Sequence, residues 1–449
     1  MNGVKNFFSC YGRYIFVFIL VFLIYELFGY GFTYGDPIAN YGFSYAIKNG
    51  QIPYLEFNII TTPLYAFIMS LGLHIFDNYL MFILEQSILV TIVFYLLYKM
   101  YGKKSYFVLL ALVCFQFYGL LPTYNFCCFA MMIILLYLEK FHNEKNYLIG
   151  IFIGLCILSK HTVGAFFIFP TLIMYFKDWR RILKRVCGLL IPGIIFIVYL
   201  LINGAFWDFI NLCFGGLLDF GSSNGKVFTF WFFLSLILLG IMIVLLIRDR
   251  KNILNWYLIF TFMLVVPLFD ICHFALYFGC FVMMMIPYIN FCKYENYFCN
   301  LSILFMIICC LVNLKMGISY KPVFMIDINR FNFTLNSKYS YEKNLKVDEF
   351  INEYDNPIIL SYHKMFYDIS NNKDLDYYDV LMYGNFGYGG LDCMINDIKD
   401  MKDRFILIDM TSYEKDGEHD QFAKEIADYV IDNCEKIDSK YGFDVYYKK

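Results

Sequence analysis

The stretch GYGFTYGDPIANYGFSYAIKNGQIPYLEFN, residues 29 to 58, puts Asp36 and Glu56 in a polar segment directly after a first apolar run. Further along, Lys160 with His161, and Asp270 with His273, stand at the ends of other apolar runs. Ionisable groups at headgroup depth cost free energy unless they face water, a partner or a substrate. A carboxylate there can take the proton of a nucleophilic hydroxyl, and a lysine can neutralise a phosphate leaving group. Those are the parts needed to move a group from a lipid phosphate to an alcohol. Each residue also has a plainer use. Asp36, before Pro37, can cap a short helix; Lys160 can snorkel to lipid phosphate; Asp270 and His273 can simply finish their spans. What favours chemistry is their joint placement on one side, opposite the heavily basic side.

The elements that must position them are membrane spans. The chain of 449 residues is 60% hydrophobic and only 16% charged, with mean hydropathy +0.57, which excludes an ordinary globular domain and gives a polytopic membrane protein. Eleven spans are predicted at 13–32, 80–98, 106–121, 123–138, 147–159, 162–176, 187–203, 229–247, 253–270, 272–290 and 297–314. Several are shorter than the roughly 20 residues that cross the hydrocarbon, so their helices must extend into polar flanks. The first run has no small-residue cleavage site and reads as a span rather than a leader. Cysteines such as Cys127, Cys128, Cys309 and Cys310 lie in apolar runs as small hydrophobes, and no CxxC pair or Cys/His metal spacing is present.

Direction follows from basic residues. With Lys5 and Arg13 cytoplasmic, Lys99, Lys103, Lys104, Lys140, Lys145, the run Lys177, Arg180, Arg181, Lys184 and Arg185, then Arg248, Arg250, Lys251 and Lys293 share that face. The opposite connections carry Lys48, Lys160 and Lys226, the asymmetry that the positive-inside rule describes. The loop 33–79, the loop 204–228 and the tail from 315 then face outward. The count requires that PLYAFIMSLGLHIF, residues 63–76, does not span; at fourteen residues it reads as an interfacial or re-entrant helix, with Pro63 in its first turn.

From about 318 charged residues return. NPIILSY (356–362), RFILIDM (404–410) and FDVYYKK (443–449) read as strands, and residues 419–437 as a helix with an apolar stripe of Phe422, Ile426, Ala427, Val430 and Ile431. The expected architecture is a transmembrane domain over 1–315, holding an outward catalytic loop 33–79, and a small α/β domain over 316–449. Cys393 and Cys434 either pair there or sit apart as core residues.

The order of short N-terminus, one span, acidic outward loop and long series of spans resembles the GT-C superfamily of membrane glycosyltransferases. The likeness is to bacterial members related to the aminoarabinose and protein O-mannosyl transferases. Its landmarks are Asp36 after the first span, then Gly50, Pro53, Tyr54, Glu56 and Phe57, then Pro63, Leu64 and Tyr65, and Lys160 within GLCILSKHTVG. They cover roughly residues 10 to 200.

The resemblance implies an all-α, GT-C-like polytopic fold with an extracytoplasmic α/β tail, in a bacterial plasma membrane. It implies that Asp36 is the catalytic base and that Lys160, with His161 beside it, meets the phosphate of a polyprenyl-phosphate sugar donor. The sugar would sit against the loop through Tyr41, Tyr54 and Asn58, with Asn125 and His273 also in contact, and would pass with inversion to an extracytoplasmic glycan, lipid or protein. The sequence departs from the family in LLPTYNF, where Asn125 stands at a position often acidic. A second carboxylate would then come from Glu56, Asp219 or Asp270, and use of a divalent metal is left open. Two other classes are a transporter or flippase of lipid-linked sugars, which calls for gapped paired spans and midplane charges, and a non-catalytic scaffold. The ionisable residues cluster instead at outward ends.

Overall fold

The computed structural model describes residues 2–27, 36–115, 117–225, 228–289, 296–297, 299–308, 341–362, 364–413 and 422–449. Among the described residues each of the eleven predicted spans overlaps a helix, that of 253–270 ending at Leu264, and five helical stretches are long and apolar enough to cross a membrane. Six further apolar helices have 10–17 residues. The domain boundary expected at 315/316 lies outside the described residues, as do Cys309 and Cys310.

Two spans differ from expectation in an informative way. The predicted span 106–121 is helical only over Ser105–Val113, after which Phe117 turns left-handed (φ +63) and a single 3-10 turn, Tyr118–Leu120, follows. Gly119 lies under the Leu112 backbone, where a Cβ would stand 2.7 Å from the carbonyl oxygen, so the chain folds back tightly there. The basic run KDWRRILKR is not a loop: the helix Trp179–Ile202 begins inside it, with the Asp178 side chain accepting from Arg181 N. Arg185, counted among the cytoplasmic charges, is instead fully buried against Glu139.

The polar stretch 33–79 is a two-helix unit. Asp36–Lys48 starts with Asp36 and Pro37, a charge and a ring suited to a helix N-terminus, and ends with Lys48 in its last turn. Gly50 (φ +91) closes it, with Gly50 N bonded to Ile47 O and Gln51 N to Ala46 O. The segment 63–76 is helical over Leu64–Leu73, ten residues or about 15 Å, too short to span. It packs on Asp36–Lys48 and on the helix Tyr79–Tyr101, while Leu71, Ile75 and Phe76 remain exposed. Lys48 and Asp77, 2.8 Å apart, tie the unit's two ends.

The C-terminal part holds a four-stranded sheet of order β1-β2-β4-β3: β1 Ile358–Leu360, β2 Arg404–Asp409, β3 Glu435–Lys440 and β4 Phe443–Lys448. β1 and β2 are parallel and the other pairs antiparallel. The predicted helix 419–437 runs over Lys424–Asn433 only, because Glu435 opens a polar edge strand; residues 419–421 lie outside the described ones. Its hairpin turns at Tyr441 (φ +53) and Gly442 (φ +88), the paired left-handed geometry of a two-residue turn. Where one helix was expected, the described residues hold four more, Tyr341–Ile351, Lys364–Ser370, Gly390–Asp400 and Met410–Tyr413. Cys393 and Cys434 are both free thiols, so they do not pair, but Cys393 is exposed and Cys434 half-buried, so neither is the core residue of the other alternative.

Burial raises the Asp348 carboxyl to about 6, against hydrogen bonds from Ser370 and Asn371. A carboxyl raised above its unfolded value contributes stability below about pH 4 that is lost as pH climbs through 6. Protection of the Tyr341–Ile351 amides against hydrogen exchange, measured on the full chain, is therefore expected to fall between pH 4 and 7. Asp348→Asn, neutral throughout, flattens that dependence.

Candidate active site

The soluble domain is stapled to the membrane part around the polar loop. Gln51 exchanges two hydrogen bonds with the Leu375 backbone (2.9 and 3.0 Å), Asn58 donates to Asn385 O, and Tyr377 donates to the carbonyls of Tyr54 and Leu55. From the other flank, Asn224 donates to Tyr383 O at 2.7 Å and Asn211 accepts from Tyr388 N at 2.7 Å. Beneath these staples Met365 seats on Gly42 of the helix Asp36–Lys48, where any Cβ would collide with its sulfur. Lys364, ringed by Asp368, Asp376 and Asp379, fixes the segment that carries them.

Gly384 (φ +83) and Gly387 (φ +69) press on Phe220 and Asn211, leaving 2.4 and 2.8 Å for a Cβ. Both the dihedral and the space exclude a side chain. Gly384→Ala is expected to loosen the docked segment, seen as faster amide exchange across 375–390, with no change in the melting of the spans.

Asp36, at the start of its helix, is exposed to solvent, and the phenol of Tyr362 from the C-terminal domain lies within reach of its charge. His273, Asp270 and Lys160 all lie within electrostatic reach of it. Burial raises the Asp36 carboxyl above the ordinary carboxylate value; His273 and Lys160 oppose that shift and Asp270 adds to it. Asn40, one turn along the helix, donates to Asp36 O at 2.6 Å and accepts from Tyr124 N at 3.2 Å. This pins the acidic end of the helix to the start of the helix Tyr124–Phe141, which Thr123 caps.

Lys160 interrupts the chain between the helices Asn146–Ser159 and His161–Gly164, in extended geometry. Its ammonium is buried, donates to Asn125 Oδ1 at 2.7 Å and lies 5.8 Å from the Tyr124 ring. Burial pulls it down to about 8, against the pull of Cys128, Asp270 and Asp36. Next to it, His161 leans on Phe214 with centroids 5.4 Å apart, and its ring nitrogens are buried without a hydrogen bond in bonding geometry. Asp270 caps the helix Ile271–Met285 and holds His273 through both carboxylate oxygens. The preceding residue, Phe269, is left-handed (φ +43), a strained position of the kind that collects at working sites.

Of the three candidates for a second acid, only Asp270 is brought to Asp36. Glu56 is exposed and closes its own turn by accepting from Ile52 N at 2.5 Å. Asp219 is exposed on the helix Leu217–Asn224. Asn125 reaches the cluster as the hydrogen-bond partner of Lys160. Tyr41, Tyr54 and Asn58 are placed elsewhere: Tyr41 packs edge-on to Tyr79 and Phe82, Tyr54 (φ +72) donates to Thr61 O and meets Phe209, and Asn58 is a staple. Sequence reasoning passed over Asn40, Tyr124 and Tyr362. Asn40 stands four residues from Asp36, the spacing of one helix face. Tyr362 comes from the soluble domain, just past β1; burial and the Asp36 charge push its phenol up to about 12. Among the described residues no group of three or more His, Cys, Asp or Glu side chains is placed to hold a metal ion.

No protein-family profile matches the sequence, and no curated protein matches it. Solved structures do. The crystal structure of ArnT from Cupriavidus metallidurans bound to undecaprenyl phosphate aligns with a TM-score of 0.57 at 12% identity, over 98% of each chain. ArnT from the same organism in the apo state aligns with a TM-score of 0.55 at 12% identity, over 99% of this chain and 98% of the other. Over nearly its whole length the chain therefore carries the fold of ArnT.

Proposed function

We propose that the protein is an integral-membrane glycosyltransferase that moves a sugar from a polyprenyl-phosphate donor to an extracytoplasmic glycan, lipid or protein. The observation that carries this reading is the gathering of Asp36, Lys160, Asp270 and His273 within electrostatic reach of one another in an ArnT-like fold. ArnT was crystallised with undecaprenyl phosphate, and a polyprenyl phosphate is the donor lipid assigned here.

In this reading the lipid enters sideways between the helices. The donor phosphate displaces Asn125 as the partner of Lys160, with His161 beside it as a further hydrogen-bonding group. Asp36 takes the acceptor proton as the acceptor oxygen attacks the anomeric carbon from the face opposite the phosphate, which inverts that centre. The leaving phosphate departs with the bonding pair, its charge met by Lys160. The long lipid, remote from the reacting carbon, contributes binding energy that orients the reacting groups. The site lies on the outer face of a bacterial plasma membrane, with the N-terminus cytoplasmic and the soluble domain outside.

Membranes holding the full chain, given undecaprenyl phosphate carrying [14C]mannose, glucose, galactose or aminoarabinose, are expected to move label from one of these lipids to an endogenous acceptor. No movement from any of them, against matched membranes lacking the protein, overturns the reading. Orientation has its own check. Cys393 is exposed in the soluble domain, so a membrane-impermeant maleimide should label it in intact cells, and Cys393→Ser should remove that label. Labelling only after lysis reverses the assigned topology.

A further inference from the structure

His273 carries a feature that the transfer step above leaves unused. The side chain is buried, with 4% of its surface exposed. Its Nδ1 lies 2.9 and 2.8 Å from the two oxygens of Asp270, and its backbone N–H donates to Oδ1 of the same carboxylate at 2.9 Å. An ionised carboxylate only accepts, so Nδ1 bears the hydrogen and Nε2 of the neutral ring is left as a bare lone pair. That Nε2 is buried and has no hydrogen-bond partner. Tyr277, one turn on along the helix, likewise has a buried hydroxyl without a partner. Buried polar atoms left unpaired are costly, and an imidazole oriented by a carboxylate with its second nitrogen free is the arrangement used to receive a proton.

The titratable groups within electrostatic reach of this dyad are Asp36 from the helix Asp36–Lys48, Lys160 from the turn between two helices, Tyr118 and Tyr124 from neighbouring elements, and Cys272 on its own helix. Asp36 is the one carboxylate of another element among them.

We propose that His273, held in one tautomer by Asp270, is the second proton acceptor of the site: the proton that Asp36 takes from the acceptor hydroxyl passes on to Nε2. The inference rests on the glycosyl-transfer reading. The acceptor O–H bond breaks as its oxygen bonds the anomeric carbon, and the bond from that carbon to the phosphate oxygen breaks with its electron pair leaving on the phosphate. The proton moves to Asp36 and then to Nε2, forming an imidazolium whose charge Asp270 balances. Return of that proton by way of Asp36, which is open to solvent, resets both groups. His273 is thus a catalytic residue for the proton, and Asp270 is a positioning residue.

The test uses the full chain in membranes and whichever of the four labelled lipids is transferred. Asp270→Asn keeps a side chain that caps helices well but no longer fixes the tautomer. His273→Gln removes the titrating nitrogen at similar size. Both are expected to lower kcat about 10²-fold with the donor KM unchanged. In the unmodified protein, two groups must be deprotonated, so log kcat should fall with a slope of two on the acid side; the Asp270→Asn variant should fall with a slope of one. If both variants keep kcat within about twofold, or if the unmodified protein falls with a slope of one, the relay is overturned. Should Asp36→Asn abolish transfer while His273→Gln does not, the relay alone fails; if no labelled lipid is transferred, the wider reading fails and the relay with it.

Discussion

Asp36→Asn is expected to lower the transfer rate by about 10²–10⁴-fold, the range that a positioned general base contributes. Asparagine has nearly the same volume and suits a helix start, so the helix Asp36–Lys48 should keep its place. The Asn40 bond to the residue-36 carbonyl is a backbone contact and survives the change. What is lost is the capacity to accept a proton. Binding of undecaprenyl phosphate, measured separately, should stay within a few-fold because Lys160 is untouched. The acid side of the rate profile supplies a second reading. Burial raises the Asp36 carboxyl, so activity should start to fall at a pH above the usual value of about 4 for a free aspartate. Unchanged transfer in the variant would remove Asp36 from the mechanism.

Arg185→Met is expected to cost stability on the order of 3–5 kcal/mol, the penalty for leaving one charge of a buried pair without its partner. The two charges are enclosed, at 1% and 0% side-chain exposure, and form a two-pronged pair with contacts of 2.5 and 3.0 Å. Asn146 and Thr171 accept from the guanidinium, Tyr257 donates to Glu139, and the Tyr175 ring lies 4.5 Å from the guanidinium carbon. The cluster therefore joins helices spread from residue 124 to residue 260. Methionine leaves the Glu139 carboxylate with one hydroxyl for company in an apolar setting. A double change, Glu139→Leu with Arg185→Met, removes both charges and should recover much of the loss. Thermal unfolding in one detergent, single against double, measures it; a double variant no more stable than the single would show that the cost lies in packing rather than in the orphaned charge.

The parts legible in the sequence were those that depend on one-dimensional pattern. Apolar run length located a helix within each predicted span, though not always its end, and the charge count demoted 63–76, which is too short a helix to span. Asp36, Lys160, Asp270 and His273 could be singled out because an ionisable group beside an apolar run is anomalous wherever the chain folds. Relations across the fold were not legible. Arg185 sits in a basic run and looks like its neighbours, and only the helix register turns it inward to Glu139. Tyr41 and Tyr54 carry the composition of a sugar platform, yet the same aromatic character packs them into the core. Edge strand β3 reads EKIDSK, with no apolar alternation, because most of its side chains are exposed; the Tyr441–Gly442 turn was its one usable sign.

The staples between Gln51 and Leu375 have a bearing on how the molecule is made. Their ends are 324 residues apart in the chain, so the ribosome must pass residue 375 of 449 before the clasp can form. A nascent polypeptide threaded into the bilayer stays unclasped until that stretch has emerged. A chain that stops after the last span but before Leu375 lacks both bonds to Gln51, and the polar loop loses the clasp that the C-terminal domain places on it.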